Sequence, residues 1–265
     1  MTEKLKAAYL WIDQKFPAVG NLLRRMYHHR SLVNTIQKKI SGQGNRIVYG
    51  DSIFSSVIFD IKGNDNLVRI ADRCILNNVH FYIRGNHHQI HINAGCRFNQ
   101  GGSLDFEDNN GCLTIGEDTT FEDVHIALTE PGSKVTIGRD CMFAYDLDIR
   151  TGDSHSIIDK TTGARINFAR DINIGNHVWV AAHTVILKGV SIADDCVVAT
   201  ASVVVNSLEE PGVIVAGNPA KTIRRNITWS RKRLDKPVIG GSDGLAAGEP
   251  GSAGAGTGSP EGFSA

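Results

Sequence analysis

No stretch of this 265-residue chain comes near the ~20 consecutive apolar residues that a membrane-spanning helix needs. Cysteine is scarce and odd in number, five residues with no Cys-x-x-Cys pair, which argues against a disulfide framework or a zinc ribbon. Neither charge is in excess: 28 Lys and Arg face 28 Asp and Glu, and no basic patch is interleaved with aromatic residues. A nucleic-acid partner is therefore not expected. No secretory signal peptide is evident, and with its unpaired cysteines the chain reads as reduced and cytoplasmic. From Gly240 onward large apolar residues nearly vanish, apart from Leu245 and Phe263. The Gly, Ser, Ala and Pro that remain cannot bury enough surface to offset their ordering entropy, so the C-terminal extension 226–265 is expected to be disordered from about 240.

What the sequence does contain is a beat of six. Ile174, Val180, Ile186, Ile192, Val198 and Val204 stand at six-residue intervals, and the fourth residue after each of the first five is small or apolar: Val178, Thr184, Val190, Cys196 and Ser202. Helices repeat near 3.6 residues and strands near 2, so this period fits short strands joined by regular corners, a parallel β-helix with two inward positions per hexad. The same template recovers Ile70–Cys74, Ile92–Cys96, Ile115–Thr119 and Ile137–Cys141 upstream, each followed two residues later by Leu76, Phe98, Phe121 or Phe143. Those coils are 22 or 23 residues long, not 18, so each is expected to carry a longer corner of four or five extra residues. Gly63–Asn64, Asn109–Gly111 and Pro131–Gly132 supply turn chemistry there. Four cysteines, Cys74, Cys96, Cys141 and Cys196, share one inward corner position and read as small core residues.

Residues 1–45 follow another period. Leu5, Tyr9, Ile12 and Phe16, then Leu22, Leu23, Met26 and Tyr27, recur at helical spacing with Pro17 and Gly20 between them. This helical N-terminal segment is rich in Lys and Arg. It could cap the open first coil of the solenoid, or make peripheral contact with an anionic membrane surface through residues 1–40. The β-helix domain is expected over 46–225.

One long excursion breaks the coil, an inserted loop at 150–170 that carries Asp153, His155, Arg165 and Arg170. The repeat then resumes, with Trp179 as its next large aromatic residue. Interruptions of a regular scaffold are where function tends to sit.

The ordered trio TGDSHSI, INIGNHVWVAAHTVILKGVSI and GVIVAGNPAKTIRR resembles the left-handed β-helix O-acetyltransferases, in particular the capsule or exopolysaccharide type, over roughly residues 65 to 225. The resemblance implies a left-handed coil, acetyl-CoA as acyl donor, a bacterial glycan hydroxyl as acceptor, and a homotrimer with sites at subunit interfaces. It places His155 as the catalytic histidine, and an imidazole suits this role because a sugar hydroxyl needs a base that is neutral near pH 7. Trp179 would either donate its indole N–H to the oxyanion or wall the acceptor sugar, and Asp153 would either hold the His155 tautomer or cap a turn. Ala182, Thr200 and Ser202 fall along the pantetheine path, Lys221 and Arg224 near the nucleotide, with Lys188 a further coenzyme candidate. Asp123 and His125 match the region where relatives bind acceptor hydroxyls. Where relatives commonly carry a glycine in the corner after the tryptophan, this chain has Ala181 and Ala182, which narrows the approach to the backbone. Between Asp105 and Glu130 stand eight acidic residues and no Lys or Arg, which as a solvated face would disfavour an anionic polymer. Two other readings stay open on the same coil: a non-catalytic structural solenoid, and a metal enzyme of the γ-carbonic anhydrase type. For the latter, His177 and His183, six apart, would have to converge on one ion.

Overall fold

The computed structural model describes residues 35–235. The helices expected in the N-terminal segment, their membrane or capping role, and the tail from about 240 therefore lie outside the described residues, apart from 35–45. Those residues are not helical: Ile36–Ser41 is a strand whose whole length pairs in parallel with Val57–Lys62. The coil thus begins ten residues before the expected boundary at 46, because the backbone of Ile36–Ser41 pairs along the open edge of Val57–Lys62 as one more strand.

Twenty-four short strands and no helix make up the regular structure of the described residues, so no helix among them could cross a membrane. Successive strands pass in turn to three parallel sheets, which form the faces of a prism. The first face runs from Ile36–Ser41 to Val203–Val204 and the second from Arg46–Tyr49 to Ser191–Ile192. The third runs from Ile53–Ser55 to Ile214–Ala216, where Lys221–Arg224 turns back antiparallel on its end. Residues 35–228 belong to one unit; of a second unit, which begins at Trp229, residues 229–235 are described and carry no regular element.

Like residues stack on like. Ile70, Ile92, Ile115, Ile137, Ile174 and Ile192 form one continuous column on the second face. Leu76, Phe98, Phe121, Phe143, Val180 and Val198 form another on the third. All are buried. Phe98, Phe121 and Phe143 stack ring on ring, at 4.6 and 4.7 Å. The expected inward corner positions are buried as well, and there the thiols serve as weak donors to the next coil: Cys96 Sγ to the Gly116 carbonyl at 3.0 Å, Cys141 Sγ to that of Gly175 at 3.1 Å.

The extra residues of the early coils all lie between the first and second faces. Eleven positions separate Phe81 from Ile92, where six separate Ile186 from Ile192. They are not only corner, as expected from spacing. Part of them lengthens the first-face strand, so that Ile61, Ile83, Phe106 and Leu128 become additional core residues and the prism is wider early than late. The rest make the corner, with Gly63 at φ +141, Asn110 at +60 and Gly132 at +79.

Two substitutions test this packing. Phe121→Ala should cost about 3–5 kcal/mol in a urea unfolding curve, because it empties the middle of a three-ring stack. Ile186→Asp should give no cooperative transition, since it buries an unpaired charge in the column.

Candidate active site

The first-face strand Leu147–Arg150 ends at the inserted segment, and the second face resumes at Ile172–Ile174. Thr151 roots the departure: its hydroxyl accepts the Thr129 N–H at 3.0 Å and its carbonyl accepts the Arg170 N–H at 2.9 Å, closing the base of the loop. Gly152 follows because a Cβ there would come within 2.3 Å of Thr129 Oγ1. Beyond it the chain runs out and back as an antiparallel arm. The Ile166 N–H donates to the Ile157 carbonyl at 2.9 Å, and Asp159 caps the tip by accepting the N–H groups of Thr161 and Thr162, each at 2.8 Å.

His155 lies on the outgoing strand of this arm with its side chain exposed. Among the described residues its imidazole takes no hydrogen bond from a side chain, and its backbone is pinned instead. The His155 N–H donates to the Asp153 carbonyl at 2.7 Å, and its carbonyl accepts from Asn167 Nδ2 at 2.7 Å. Asp153 does not hold the imidazole. Its carboxylate is paired with the Lys188 ammonium and accepts Asn167 Nδ2 at 2.8 Å; the ammonium, more than the amide, keeps this carboxyl below its usual range. Lys188 is thereby engaged within the chain, at the corner that carries the arm. It also donates to the Asn167 carbonyl at 3.1 Å. Arg165, on the returning strand, pairs with Glu130 one coil below and donates to Asn167 Oδ1 at 3.1 Å. The arm is stapled to the coil beneath it by Arg165 and to the coil above it by Lys188.

Trp179 stands elsewhere. It points outward from the third face between inward Val178 and Val180, beside Met142 and Val197 on the neighbouring strands. The His155 arm leaves the corner between the first and second faces, and its anchors Glu130 and Lys188 lie at that same corner. In a three-sided prism that corner is opposite the third face, so one chain does not bring His155 and Trp179 together.

The expected coenzyme residues group with Trp179. Ala182 occupies one turn of the corner between the third and first faces and Thr200 and Ser202 share the next, where the Ala201 N–H donates to the Ala182 carbonyl at 2.9 Å and the Val203 N–H to that of Gly217 at 3.0 Å. Thr200 is exposed. Ser202 is buried, with its hydroxyl accepting the Gly217 N–H at 3.2 Å, so its side chain is core and only its backbone faces the corner. Lys221 and Arg224 are exposed on the terminal antiparallel strand just beyond.

Asp123 is exposed on an earlier turn of that corner, and His125 lies on the outer side of the first face. Both ring nitrogens of His125 are engaged within the protein. Nε2 lies 3.1 Å from Asp105 Oδ2 and Nδ1 lies 3.0 Å from Asp148 Oδ1, so the ring bridges the coils on either side of its own. The two carboxylates, Asp105 first, push its pKa up to about 9 against the opposing effect of burial. Nor do His177 and His183 converge: they occupy two different corners, His177 against Asp140 at 2.8 Å and His183 against Asp146 at 2.7 Å. The three-histidine geometry that a γ-carbonic anhydrase site requires is not formed by this pair.

No family model matches the chain. Among curated proteins, it is 32% identical over 208 residues to a polysialic acid O-acetyltransferase of Neisseria meningitidis, covering 78% of this chain and 90% of the relative. A match of that length in a chain of 265 residues necessarily includes His155 and Trp179. The chain belongs to the capsule-type hexapeptide-repeat O-acetyltransferases. A polysialic acid O-acetyltransferase of Escherichia coli O1:K1 is 38% identical over 119 residues, 45% of this chain and 38% of that protein. The crystal structure of the polySia-specific acetyltransferase NeuO superposes with a TM-score of 0.64 at 30% identity, over 77% of this chain and 91% of that one. That of the polysialic acid O-acetyltransferase OatWY gives 0.61 at 30%, over 77% and 95%.

As an acyltransferase of this family the chain has one group that sequence reasoning did not single out, Asn167. It lies between two exposed apolar residues, Ile166 and Phe168, and no local pattern marks it as buried. Only the return of the arm onto itself brings it to His155.

The His125 bridge has a pH signature. A protonated imidazole between two carboxylates stabilises the fold fully below its ordinary value near 6.5, and that contribution is lost as pH rises through about 9. Thermal midpoints of the wild type and of His125→Gln should therefore differ most near pH 6.5 and converge above about pH 9.

Proposed function

We propose that this acyltransferase moves the acetyl group of acetyl-CoA directly to a hydroxyl of a bacterial capsular, exopolysaccharide or lipopolysaccharide sugar, without an acyl-enzyme, at sites shared between subunits of a homotrimer. The observation that carries this reading is the 32% identity to a polysialic acid O-acetyltransferase across a region that holds both His155 and Trp179. The topology supports the shared site. His155 and the line formed by Trp179, Ala182, Thr200 and Lys221 stand on opposite sides of one prism, so a second copy has to complete the site. The arm is suited to lie against such a copy, for Ile157, Ile158, Ile166 and Phe168 are each at least half exposed along it.

In the reaction, the acceptor hydroxyl gives its proton to the His155 imidazole as its oxygen attacks the thioester carbonyl carbon. The C–S bond then breaks, and the imidazolium returns the proton to the coenzyme thiolate. Trp179 supplies either an indole N–H to the developing oxyanion or a wall for the sugar. Backbone groups at the Ala182 and Thr200 turns would line the pantetheine, with Lys221 and Arg224 toward the phosphates.

Of the eight acidic residues in the stretch 105–130, Asp105 holds His125 and Glu130 holds Arg165, which offsets part of the negative charge an anionic polymer would meet; Glu122 accepts from Asn99 at 2.7 Å and Asp108 accepts the Glu130 N–H at 2.9 Å.

Thiol release from acetyl-CoA, measured across a panel of capsular and lipopolysaccharide glycans that includes polysialic acid, tests the reading. Release should require a glycan and should fall by about 10²–10⁴-fold in His155→Ala. Trp179→Ala should raise the acceptor KM more than the coenzyme KM. Release that ignores His155, or no release together with no calorimetric binding of acetyl-CoA, would overturn it.

A further inference from the structure

We infer that Asn167 is the positioning residue of this enzyme, the group that fixes where His155 stands. The inference rests on the reading of His155 as the base. Three features of Asn167 carry it.

The first is burial. Asn167 is 6% exposed, while its apolar neighbours Ile166 and Phe168 point outward at 61% and 59% exposed. The arm is folded around this amide, and a buried amide is tolerated only when it is fully hydrogen-bonded.

The second is the set of bonds. Nδ2 donates to Asp153 Oδ2 at 2.8 Å and to the His155 carbonyl at 2.7 Å. Oδ1 accepts the Ile157 N–H at 2.8 Å and Arg165 Nε at 3.1 Å. The backbone carbonyl accepts Lys188 Nζ at 3.1 Å and the Arg165 guanidinium at 3.3 Å. The outgoing strand is therefore gripped at residues 153, 155 and 157, at His155 itself and two positions to either side. Through Arg165 and Lys188 the same residue is tied to the coils below and above.

The third is what the side chain lacks. Both Nδ2 donors and the Oδ1 acceptor are occupied within the protein, and the residue is nine-tenths buried. No side-chain hydrogen is left for an acceptor sugar or for coenzyme, so Asn167 acts through His155 and does not touch the reacting atoms. The gain is preorganisation: a base held at a fixed distance from a hydroxyl loses about 10²-fold in rate when it is displaced by ~1 Å.

The test uses the full-length enzyme and two variants. Asn167→Ala removes the whole grip. Asn167→Asp keeps the shape and an acceptor but removes both donors and sets a carboxylate beside Asp153. In both, kcat should fall by about 10–100-fold, with the KM for acetyl-CoA within about twofold of wild type and the unfolding midpoint of the coil little changed. The decisive comparison is made in a His155→Ala background, where adding Asn167→Ala should cost nothing further, because the group it positions is gone. A further drop of the same size in that background, or a wild-type kcat in both single variants, would overturn the proposal while leaving His155 as the base. So would an early melting transition in both variants with kcat per folded molecule unchanged, which would make the residue purely structural. If His155→Ala itself turned over like wild type, the reading of the base would fail and this inference with it.

Discussion

Everything in this molecule depends on the register of a parallel ladder in which each coil sets its residues directly on those of the coil below. Ile on Ile, Phe on Phe and thiol over carbonyl are consequences of that single constraint. A shift by one residue would turn an inward column out to solvent, and the column would no longer close. The hydrophobic core is therefore a line rather than a globule, and its cross-section is set coil by coil. Where a coil needs more width, as between Phe81 and Ile92, the extra residues enter at one corner and the other two faces keep their spacing.

The same constraint makes the surface useful. A stack of equivalent corners brings residues 18 to 37 positions apart into contact, and the protein uses this for charge as well as packing. His125 reaches aspartates in the coils before and after its own, and His177 and His183 each meet an aspartate of the preceding coil. Tight corners also accept non-glycine residues at positive φ, with Asp118 at 57, Asp140 at 53, His177 at 51 and Asp195 at 61 on successive turns of one corner. In a solenoid the cost of each such corner is offset by the ladder bonds on both sides of it.

The inserted arm stands outside this order, and it needs fastenings that the ladder does not supply. Arg165 with Glu130 and Lys188 with Asp153 provide them, and Asn167 joins the two. Two residues that look like coenzyme or base-orienting groups in the sequence, Lys188 and Asp153, turn out to hold each other.

The periodicity of the sequence alone determined the solenoid, its inward columns, the buried cysteines and the place of the interruption, because a six-residue beat survives only if strands and corners recur. Its motifs also singled out His155 and Trp179 as candidates. The tertiary structure alone decided that the first strand begins at Ile36, that the extra residues widen one face, and that His155 and Trp179 stand on opposite sides of a single chain. It alone revealed Asn167 as the center of the arm. These are matters of which residues meet across twelve to thirty-seven positions, and no local pattern carries that information: the spacing of a repeat says what faces inward, but the neighbours of a residue in an insertion depend on where the chain returns.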